Sequence, residues 1–431
     1  MRRSLIVGLV CLMVFAVTGS GLAYDFGGRT IIYTDWDDRT PPEGSADYER
    51  LLEAEEKYNV NFEYGVIPVE TMVEQVLAGV LGGEAPMHLL AVQSWNYHYV
   101  PLAVQGALQP LDQVLPEDYF DSLPAAIQGR DGLRSALDIL GHTYGTIGLS
   151  YPYETAIVMV WNKDLFEREG FPSLYDLIDE GEWTWEKLEE IAIKATRDTD
   201  GDGQVDQWGV GGVIGDPGQF AMPALATNNV YPTAVVDGKV KVTLNDPRTF
   251  EILDVLYRLW SVHQAVAPGP WHDPSPFNQG KVAMYFVPFW MQQLFDRNSV
   301  DWGLAYLPKG SAADDYVFPL YGLPVLVVPK TSEDPEALLA LFADIYPEER
   351  LQDIMDAWAA NQYADRESYA MFYEMVENWV NPTPWQAVFQ GDDWKWTNLI
   401  WQIMGGVKSS ATAIAEYEPV IQSALDDLLG Q

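Results

Sequence analysis

The sequence has 431 residues, with 63 acidic against 25 basic side chains and a formal net charge of −38 at pH 7. A field of this sign repels phosphate backbones and anionic lipid, so we expect neither a nucleic-acid partner nor a membrane-surface partner. Because chains beyond roughly 250–300 residues usually divide into more than one hydrophobic core, the length predicts more than one lobe.

The first 23 residues have the pattern of a secretory signal peptide. Two arginines follow the initial methionine, an apolar run covers residues 5–17, and Gly21 and Ala23 supply the small residues of a cleavage site. The run is shorter than the roughly 20 apolar residues that a membrane-spanning helix needs. We therefore expect residues 1–23 to be removed and the mature protein to be periplasmic or extracellular.

The single cysteine, Cys11, lies inside this apolar run. The mature chain is therefore expected to contain no disulfide, although it faces an oxidising compartment. Val10, the residue before it, is larger than the residue expected ahead of a lipid-attachment cysteine. We expect no lipid anchor.

Short β-rich runs alternate with amphipathic helices in the first hundred residues. Residues 29–34, 59–64 and 88–92 are predicted to be strands, and residues 48–58 and 70–81 are predicted to be helices. This alternation predicts a doubly wound α/β sheet, in which ligands bind beyond the carboxyl ends of the strands.

Aromatic residues follow two of these predicted strands. Trp36 stands beside Asp37 after the first strand, and Trp95 stands close to Tyr97 after the third. An aromatic ring covers the apolar face of a sugar, whereas sugar hydroxyls need polar partners because an unpaired buried polar group costs about 1–3 kcal/mol. The pattern predicts a sugar-binding cleft, with packing in the core or between lobes as the alternative for each ring.

An acidic segment follows the spacing of a calcium-binding loop, with carboxylates at positions 1, 3, 5 and 9 and glycine at position 6. The predicted ligands are Asp198, Asp200, Asp202, Asp206 and the backbone carbonyl of Gln204. Position 12 is a glycine instead of the bidentate glutamate, so we expect a structural Ca²⁺ site weaker than a complete loop. The alternative is a tight acidic turn without an ion.

The sequence contains no motif that indicates catalysis. The five histidines lack the HExxH spacing, and no GxSxG nucleophile elbow is present. We therefore predict a binding protein that is not an enzyme and requires no cofactor. A secreted glycoside hydrolase or polysaccharide lyase is the alternative, because acidic residues are too numerous for a catalytic pair to be excluded.

Five segments carry a resemblance to a known family. They are residues 160–166 (VWNKDLF), 182–188 (EWTWEKL), 280–284 (GKVAM, followed by Trp290), 301–310 (DWGLAYLPKG) and 328–337 (VPKTSEDPEA). In this order and spacing they resemble the extracellular solute-binding proteins of ABC importers, specifically family 1, which includes maltose- and oligosaccharide-binding proteins.

The resemblance implies an α/β fold with two lobes that close around a ligand like a flytrap, several hinge crossings and a helical C-terminus. Lobe 1 is expected to comprise residues 24–147 and 303–347, and lobe 2 residues 148–302 and 348–431. Residues 148–151 and 301–307 are expected to form the strands that cross between the lobes, and they lie at the boundaries 147/148 and 302/303.

The resemblance also implies the partners and part of the site. Trp161, Trp290 and Tyr321 are similar in position to residues that contact ligand in the family. The ligand is expected to be a sugar or oligosaccharide, which a monomeric protein would deliver to the transmembrane subunits of an ABC permease. Service to a sensor kinase instead of a transporter is a further alternative.

Overall fold

The computed structural model describes residues 24–94, 98–381, 385, 388–389 and 395–430, and the expected signal peptide lies outside them. The strands are β1 (Thr30–Asp35), β2 (Asn61–Val66), β3 (Leu89–Gln93), β4 (Asp138–Ile139), β5 (His142–Thr143), β6 (Gly145–Thr146), β7 (Ile157–Asn162), β8 (Trp208–Gly212), β9 (Thr233–Val236), β10 (Lys239–Val242), β11 (Val282–Pro288), β12 (Trp302–Ala305), β13 (Phe318–Pro319), β14 (Pro324–Val327) and β15 (Trp379–Val380).

The helices are α1 (Ala46–Tyr58), α2 (Met72–Gly82), α3 (Tyr99–Val104), α4 (Tyr119–Ser122), α5 (Ala125–Gln128), α6 (Leu133–Leu137), α7 (Lys163–Glu169), α8 (Leu174–Asp179), α9 (Trp185–Ala195), α10 (Pro217–Ala226), α11 (Pro247–Tyr257), α12 (Ser275–Asn278), α13 (Pro335–Ile345), α14 (Glu349–Gln362), α15 (Arg366–Glu377), α16 (Lys395–Met404) and α17 (Ser410–Leu429). Within the described residues, no helix is both long and apolar enough to cross a membrane.

The first sheet has the strand order β2-β1-β3-β14-β6. β1 pairs in parallel with both β2 and β3, whereas β14 is antiparallel to β3 and places Pro324 opposite Gln93. β3 is buried along its whole length, as the apolar run of its first four residues predicts for a strand covered on both faces. The carboxyl ends of β1 and β3 and the start of β14 therefore lie at one edge of this sheet.

Helix α1 illustrates how local sequence sets these elements. The Ser45 side chain caps its first turn by accepting a hydrogen bond from the backbone N–H of Tyr48 at 3.2 Å. Asn59 ends the helix in the left-handed conformation, at φ 48°. Leu51, Ala54 and Tyr58 are buried, and their spacing of three and four residues presents one apolar face to the lobe.

The second sheet has the order β12-β7-β11-β8. β11 is parallel to β8 and antiparallel to β7, so Pro288 at its carboxyl end lies opposite Ile157 at the start of β7. Whatever follows β11 is therefore placed close to the segment that leads into β7.

The chain crosses between the two sheets more than once, as the two-lobed fold predicts. The first crossing joins β6 to β7 through residues 147–156, and the second joins β12 to β14 through residues 306–323. A third follows α13, because α13 packs against α1 in the first lobe whereas α15 packs against β12 in the second. The first two crossings contact each other directly, since the backbone N–H of Tyr321 donates to the Thr155 carbonyl at 3.0 Å.

The predicted lobe boundary at residue 303 is wrong. β12 pairs with β7 from Trp302↔Asn162 to Ala305↔Met159 and therefore belongs to the second sheet, so residues 301–307 do not form a crossing strand. The reason is that a short apolar run predicts a buried strand without specifying which sheet it joins. Residues 148–151 do lie in a crossing, but they form no strand.

Tryptophan is abundant in this protein largely because it fills the core. The bulkiest side chains with almost no exposed surface include Trp183, Trp185, Trp302, Trp379 and Trp396. The interpretation of the aromatic content as a sign of sugar stacking therefore does not apply to these five tryptophans.

Candidate functional site

Trp36 lies at the carboxyl edge of the first sheet, directly after β1. The buried Asp35 carboxylate accepts hydrogen bonds from the Trp36 backbone N–H at 2.7 Å and from the Arg39 guanidinium at 3.2 Å. The Arg39 guanidinium carbon lies 5.5 Å from the centre of the Trp36 ring. Asp35 thus fixes the loop so that an aromatic ring and a cation stand side by side at this edge.

Trp290 and Tyr321 approach the same region from the second lobe and from the second crossing. Trp290 lies two residues beyond β11 and is 42% exposed. Burial raises the pKa of the Tyr321 phenol to about 12, although a hydrogen bond from the Trp290 side chain lowers it. The two side chains are therefore neighbours where the second lobe meets the second crossing.

Glu154, in the first crossing, connects these groups electrostatically. Burial raises the pKa of its carboxyl group, while the hydrogen bond from the Tyr151 backbone N–H and the charges of Arg39 and Arg350 lower it. The Tyr151 bond is 3.1 Å long. The Glu154 carboxylate in turn helps to raise the pKa of Tyr321. Residues of the first lobe and of all three crossings thus meet around one carboxylate.

Arg350, near the start of α14, ties the third crossing to this site. Its Nε and Nη2 atoms lie 3.0 Å from carboxylate oxygens of Asp47 in α1, and its guanidinium lies 3.5 Å from the Tyr151 hydroxyl. Burial lowers the pKa of Arg350, but the hydrogen bonds and charges of Asp47 and Tyr151 together outweigh it, so the pKa is raised. Arg350 therefore carries a full positive charge beside the crossings.

This arrangement suits a ligand that has both apolar faces and hydroxyl groups. The rings of Trp36 and Trp290 offer flat apolar surfaces, Glu154 offers a hydrogen-bond acceptor, and Arg39 and Arg350 offer donors. A few convergent polar groups among aromatic surfaces are the usual composition of small-molecule sites. Because both signs of charge are present, the site is also compatible with a neutral ligand.

The outcome differs among the predicted binding residues at the first lobe. Trp36 lies partly buried at the carboxyl edge of the first sheet, and the exposed Asp37 carboxylate lies 3.8 Å from Arg39. Trp95 and Tyr97 lie outside the described residues. The predicted role of Trp36 and Asp37 in binding stays a prediction, as does that of Trp290 and Tyr321.

The predicted contact of Trp161 with ligand stays a prediction, and the structure places this residue in the core of the second lobe. Its side chain lies in β7, between β12 and β11, and the residue is only 4% exposed. The ring packs edge-on against Phe166 and Tyr175, with centroid distances of 4.9 and 5.2 Å. Trp161 therefore stabilises the core of the second lobe.

Sequence reasoning missed Arg39, Glu154 and Arg350. Arg39 could have been noticed, because it stands four residues after Asp35 at the end of a predicted strand. Glu154 and Arg350 carry no such signal, since the folded chain brings them together from separate crossings. Their significance comes from neighbours far away in the sequence.

The acidic loop brings three of its predicted calcium ligands together. Carboxylate oxygens of Asp198, Asp200 and Asp202 all lie within 4.8 Å of one another. The Asp198 carboxylate accepts hydrogen bonds from the N–H groups of Gly203 and Gly201, which lower its pKa. The three carboxylates are therefore close enough to share one cation.

The other two predicted ligands are differently placed. Asp206 accepts hydrogen bonds from the backbone and the hydroxyl of Thr199, at 2.8 and 2.9 Å. Gln204 donates from its backbone N–H to Asp202 at 2.8 Å. Asp206 closes the two ends of the loop on each other, and in this conformation it does not join the three-carboxylate group.

Comparisons with known proteins extend these observations. No curated protein matches the sequence. Similar solved structures include the galacto-N-biose-/lacto-N-biose I-binding protein of a Bifidobacterium longum ABC transporter, in complex with lacto-N-biose, at 16% identity with a TM-score of 0.66, covering 94% of this chain and 99% of that one.

Two further structures share the fold. The ABC substrate-binding protein Lmo0181 from Listeria monocytogenes, in complex with cycloalternan, is 16% identical with a TM-score of 0.61 and coverage of 94% and 99%. The maltose/maltodextrin-binding domain MalE from Bdellovibrio bacteriovorus, bound to maltotriose, is 17% identical with a TM-score of 0.57 and coverage of 93% and 100%.

The sequence itself matches a protein family over most of its length. The match covers residues 39–346, from the Arg39 loop through the end of α13. It includes every strand of the first sheet except β1, strands β11 and β13, which lead to Trp290 and Tyr321, and the first two crossings. The chain belongs to the family of bacterial extracellular solute-binding proteins.

Proposed function

We propose that this protein captures a neutral sugar or oligosaccharide between its two lobes and delivers it to the membrane permease of an ABC importer. The observation that supports this proposal most directly is the set of contacts around Glu154. It extends from Arg39 in the first lobe through Tyr321 to Trp290 in the second lobe. A ligand that touches both ends gains its full set of contacts only when the lobes are close together.

The chemistry of these groups favours a sugar over other solutes. Trp36 and Trp290 suit the apolar faces of pyranose rings, whereas Glu154 and the guanidinium groups suit hydroxyls, which both donate and accept. The net charge of −38 opposes a polyanionic ligand. The solved relatives with the same fold are described in complex with lacto-N-biose, cycloalternan and maltotriose.

Binding without turnover is part of the proposal. A glycoside hydrolase works with two carboxyl groups that flank the scissile bond. Glu154 is one carboxyl group at the cleft, but Asp35 is buried and accepts hydrogen bonds from the Tyr33 hydroxyl, the Trp36 backbone and Arg39. Asp35 is thereby committed to holding its loop and is poorly placed to act on a substrate.

The remaining parts of the proposal concern location, assembly and the acidic loop. Residues 1–23 would direct export to the periplasm or cell exterior, and the protein would act there as a monomer. The loop around Asp198, Asp200 and Asp202 would hold one Ca²⁺ ion with a structural role, because three adjacent carboxylates repel one another without a cation.

The experiment that tests the function is a binding screen followed by product analysis. The malto- and cello-oligosaccharide series and lacto-N-biose would be added singly, and the melting temperature measured for each. We expect at least one sugar to raise the melting temperature and to be recovered intact by chromatography. Failure of all these sugars to bind would contradict the sugar proposal, and hydrolysed sugar would show that the protein is an enzyme.

A further inference from the structure

A cavity of about 380 Å³ opens between the two lobes. One wall is formed by Asp131, Ser135 and neighbouring residues of the first lobe. The opposite wall is the β9–β10 hairpin together with Tyr231, from the second lobe, and Asn381 completes the lining. The volume falls within the range of about 300–1,000 Å³ that is typical of small-molecule sites.

The cavity adjoins the cleft that contains Tyr321. β13 and β15 are parallel, with Pro319 opposite Val380, and the Leu320 backbone N–H donates to the Val380 carbonyl at 2.9 Å. Asn381 directly follows Val380 at the end of β15, and Leu320 and Tyr321 directly follow Pro319 at the end of β13. Because paired strands lie about 4.8 Å apart, Asn381 is a near neighbour of the segment that carries Tyr321.

Asn381 lines this cavity and has a hydrogen-bond acceptor without a partner among the described residues. The residue is 8% exposed, and its Nδ2 group donates to the Ala136 carbonyl at 3.3 Å. That carbonyl fixes the orientation of the amide, because the Asn381 oxygen cannot accept from another oxygen. Oδ1 is buried and has no hydrogen-bond partner among the described residues. Such an acceptor costs about 1–3 kcal/mol unless a donor reaches it.

The carboxylates that line the cavity also favour a ligand that offers hydrogen-bond donors. The Asp131 carboxylate lines it and accepts a hydrogen bond from the Tyr231 hydroxyl at 3.1 Å, which joins the two lobes. The Asp138 carboxylate lines it as well, and its Oδ1 accepts from the Gly141 N–H at 2.9 Å. These carboxylates repel anions, whereas hydroxyl groups can donate to them and to Asn381.

We infer that this cavity is a further sugar subsite, in which Asn381 accepts a hydrogen bond from a hydroxyl of the outermost sugar unit of a long oligosaccharide. The inference rests on the proposed function, since the inner units would occupy the cleft beside Trp290 and Tyr321. It adds a selection for length: a disaccharide fills the cleft alone, and a longer chain gains the contacts with Asn381.

The test compares ligand length across variants in the complete mature chain. Affinities for malto- and cello-oligosaccharides of two to five units would be measured by calorimetry for the wild type, Asn381→Leu and Trp290→Ala. For Asn381→Leu we expect about a tenfold loss of affinity for the longest sugars and no loss for the disaccharide. Trp290→Ala is the contrast, because it should weaken every length alike.

A second variant keeps the test valid if Asn381→Leu folds poorly. Ser135 is exposed and lines the cavity, so Ser135→Trp should block the cavity without disturbing the core. It too should weaken only the longer sugars. Equal effects on all lengths, or no effect, in a variant that folds would overturn the subsite while the proposed function stands. If the wild type binds none of these sugars, the proposed function and the subsite both fail.

Discussion

The Trp290 side chain lies beside the Tyr321 phenol and, as a hydrogen-bond donor, lowers its pKa against the burial that raises it to about 12. Trp290 lies two residues beyond the end of β11, whereas Tyr321 belongs to the second crossing. This contact therefore holds a partly exposed ring where the second lobe meets the hinge. The ring remains 42% exposed, which leaves one face accessible. A ring held at one edge and exposed on a face loses little conformational entropy when a ligand stacks on it.

Replacing Trp290 should therefore reduce binding without unfolding the protein. Stacking and apolar contact of one ring are worth about 1–3 kcal/mol, so Trp290→Ala should weaken sugar binding by about ten- to a hundredfold. Calorimetry with the sugar identified in the screen measures the loss. Trp290→Phe is the matched control: it keeps a ring but loses the N–H that reaches Tyr321, and it should retain most of the affinity.

The fold of the Trp290 variants provides the check on this interpretation. Trp290→Ala should keep the circular dichroism spectrum of the wild type and change the free energy of unfolding only slightly, because the residue is largely outside the core. A large loss of stability with unchanged affinity would show that Trp290 packs the lobe and that the ligand binds elsewhere.

Trp161 should behave in the opposite way. It is 4% exposed and packs against Phe166 and Tyr175. Trp161→Ala would leave a cavity in the core and should lower the free energy of unfolding by about 3–5 kcal/mol, as measured by urea denaturation. At a temperature where this variant is folded, its sugar affinity should equal that of the wild type. A loss of sugar affinity in the folded variant would show that Trp161 contributes to the binding site.

The contrast between these two tryptophans indicates what the sequence can and cannot predict. The alternation of strands and helices near the start predicts β1, β2 and β3 and places Trp36 at the carboxyl edge of the sheet, because the ends of parallel strands meet there. Trp161 also stands at the end of a strand, but its burial depends on β12 and β11 as neighbours. Those pairings are fixed only when distant segments come together.

The same limit explains the wrong lobe boundary and the missed carboxylate. The run at 302–305 is apolar enough for either sheet, and its pairing with β7 is a tertiary choice. Glu154 has no local signature, since its environment is created by Arg39 and Arg350 from other parts of the chain. The acidic loop, by contrast, depends on local spacing alone, and three of its carboxylates converge as that spacing predicts.

Glu154 should make both stability and binding depend on pH. Because its pKa in the folded protein is raised above the ordinary value of 4.5, the folded state holds this proton more tightly than the unfolded state. The contribution of Glu154 to stability is therefore fully present below pH 4.5 and is lost as the pH rises through the raised pKa.

The matched variant for this effect is Glu154→Gln. The free energy of unfolding would be measured for the wild type and this variant from about pH 3 to pH 7. The wild type should become less stable relative to the variant as the pH rises. Sugar binding by Glu154→Gln at neutral pH should be weaker by about tenfold, because a charged acceptor is lost. A pH-independent difference in stability would mean that Glu154 has the same pKa in both states.

Calcium should stabilise the protein through the acidic loop. We expect Ca²⁺ to raise the melting temperature relative to a chelator, because binding to the folded state alone shifts the unfolding equilibrium. Asp200→Ala should abolish the difference, whereas Asp315→Ala, at an exposed acidic position outside the loop, should retain it. Sugar affinity should be the same with and without Ca²⁺, since the ion would hold the loop and contact no ligand. Identical melting curves in Ca²⁺ and chelator would show that the segment is an acidic turn that Asp206 closes through Thr199 without an ion.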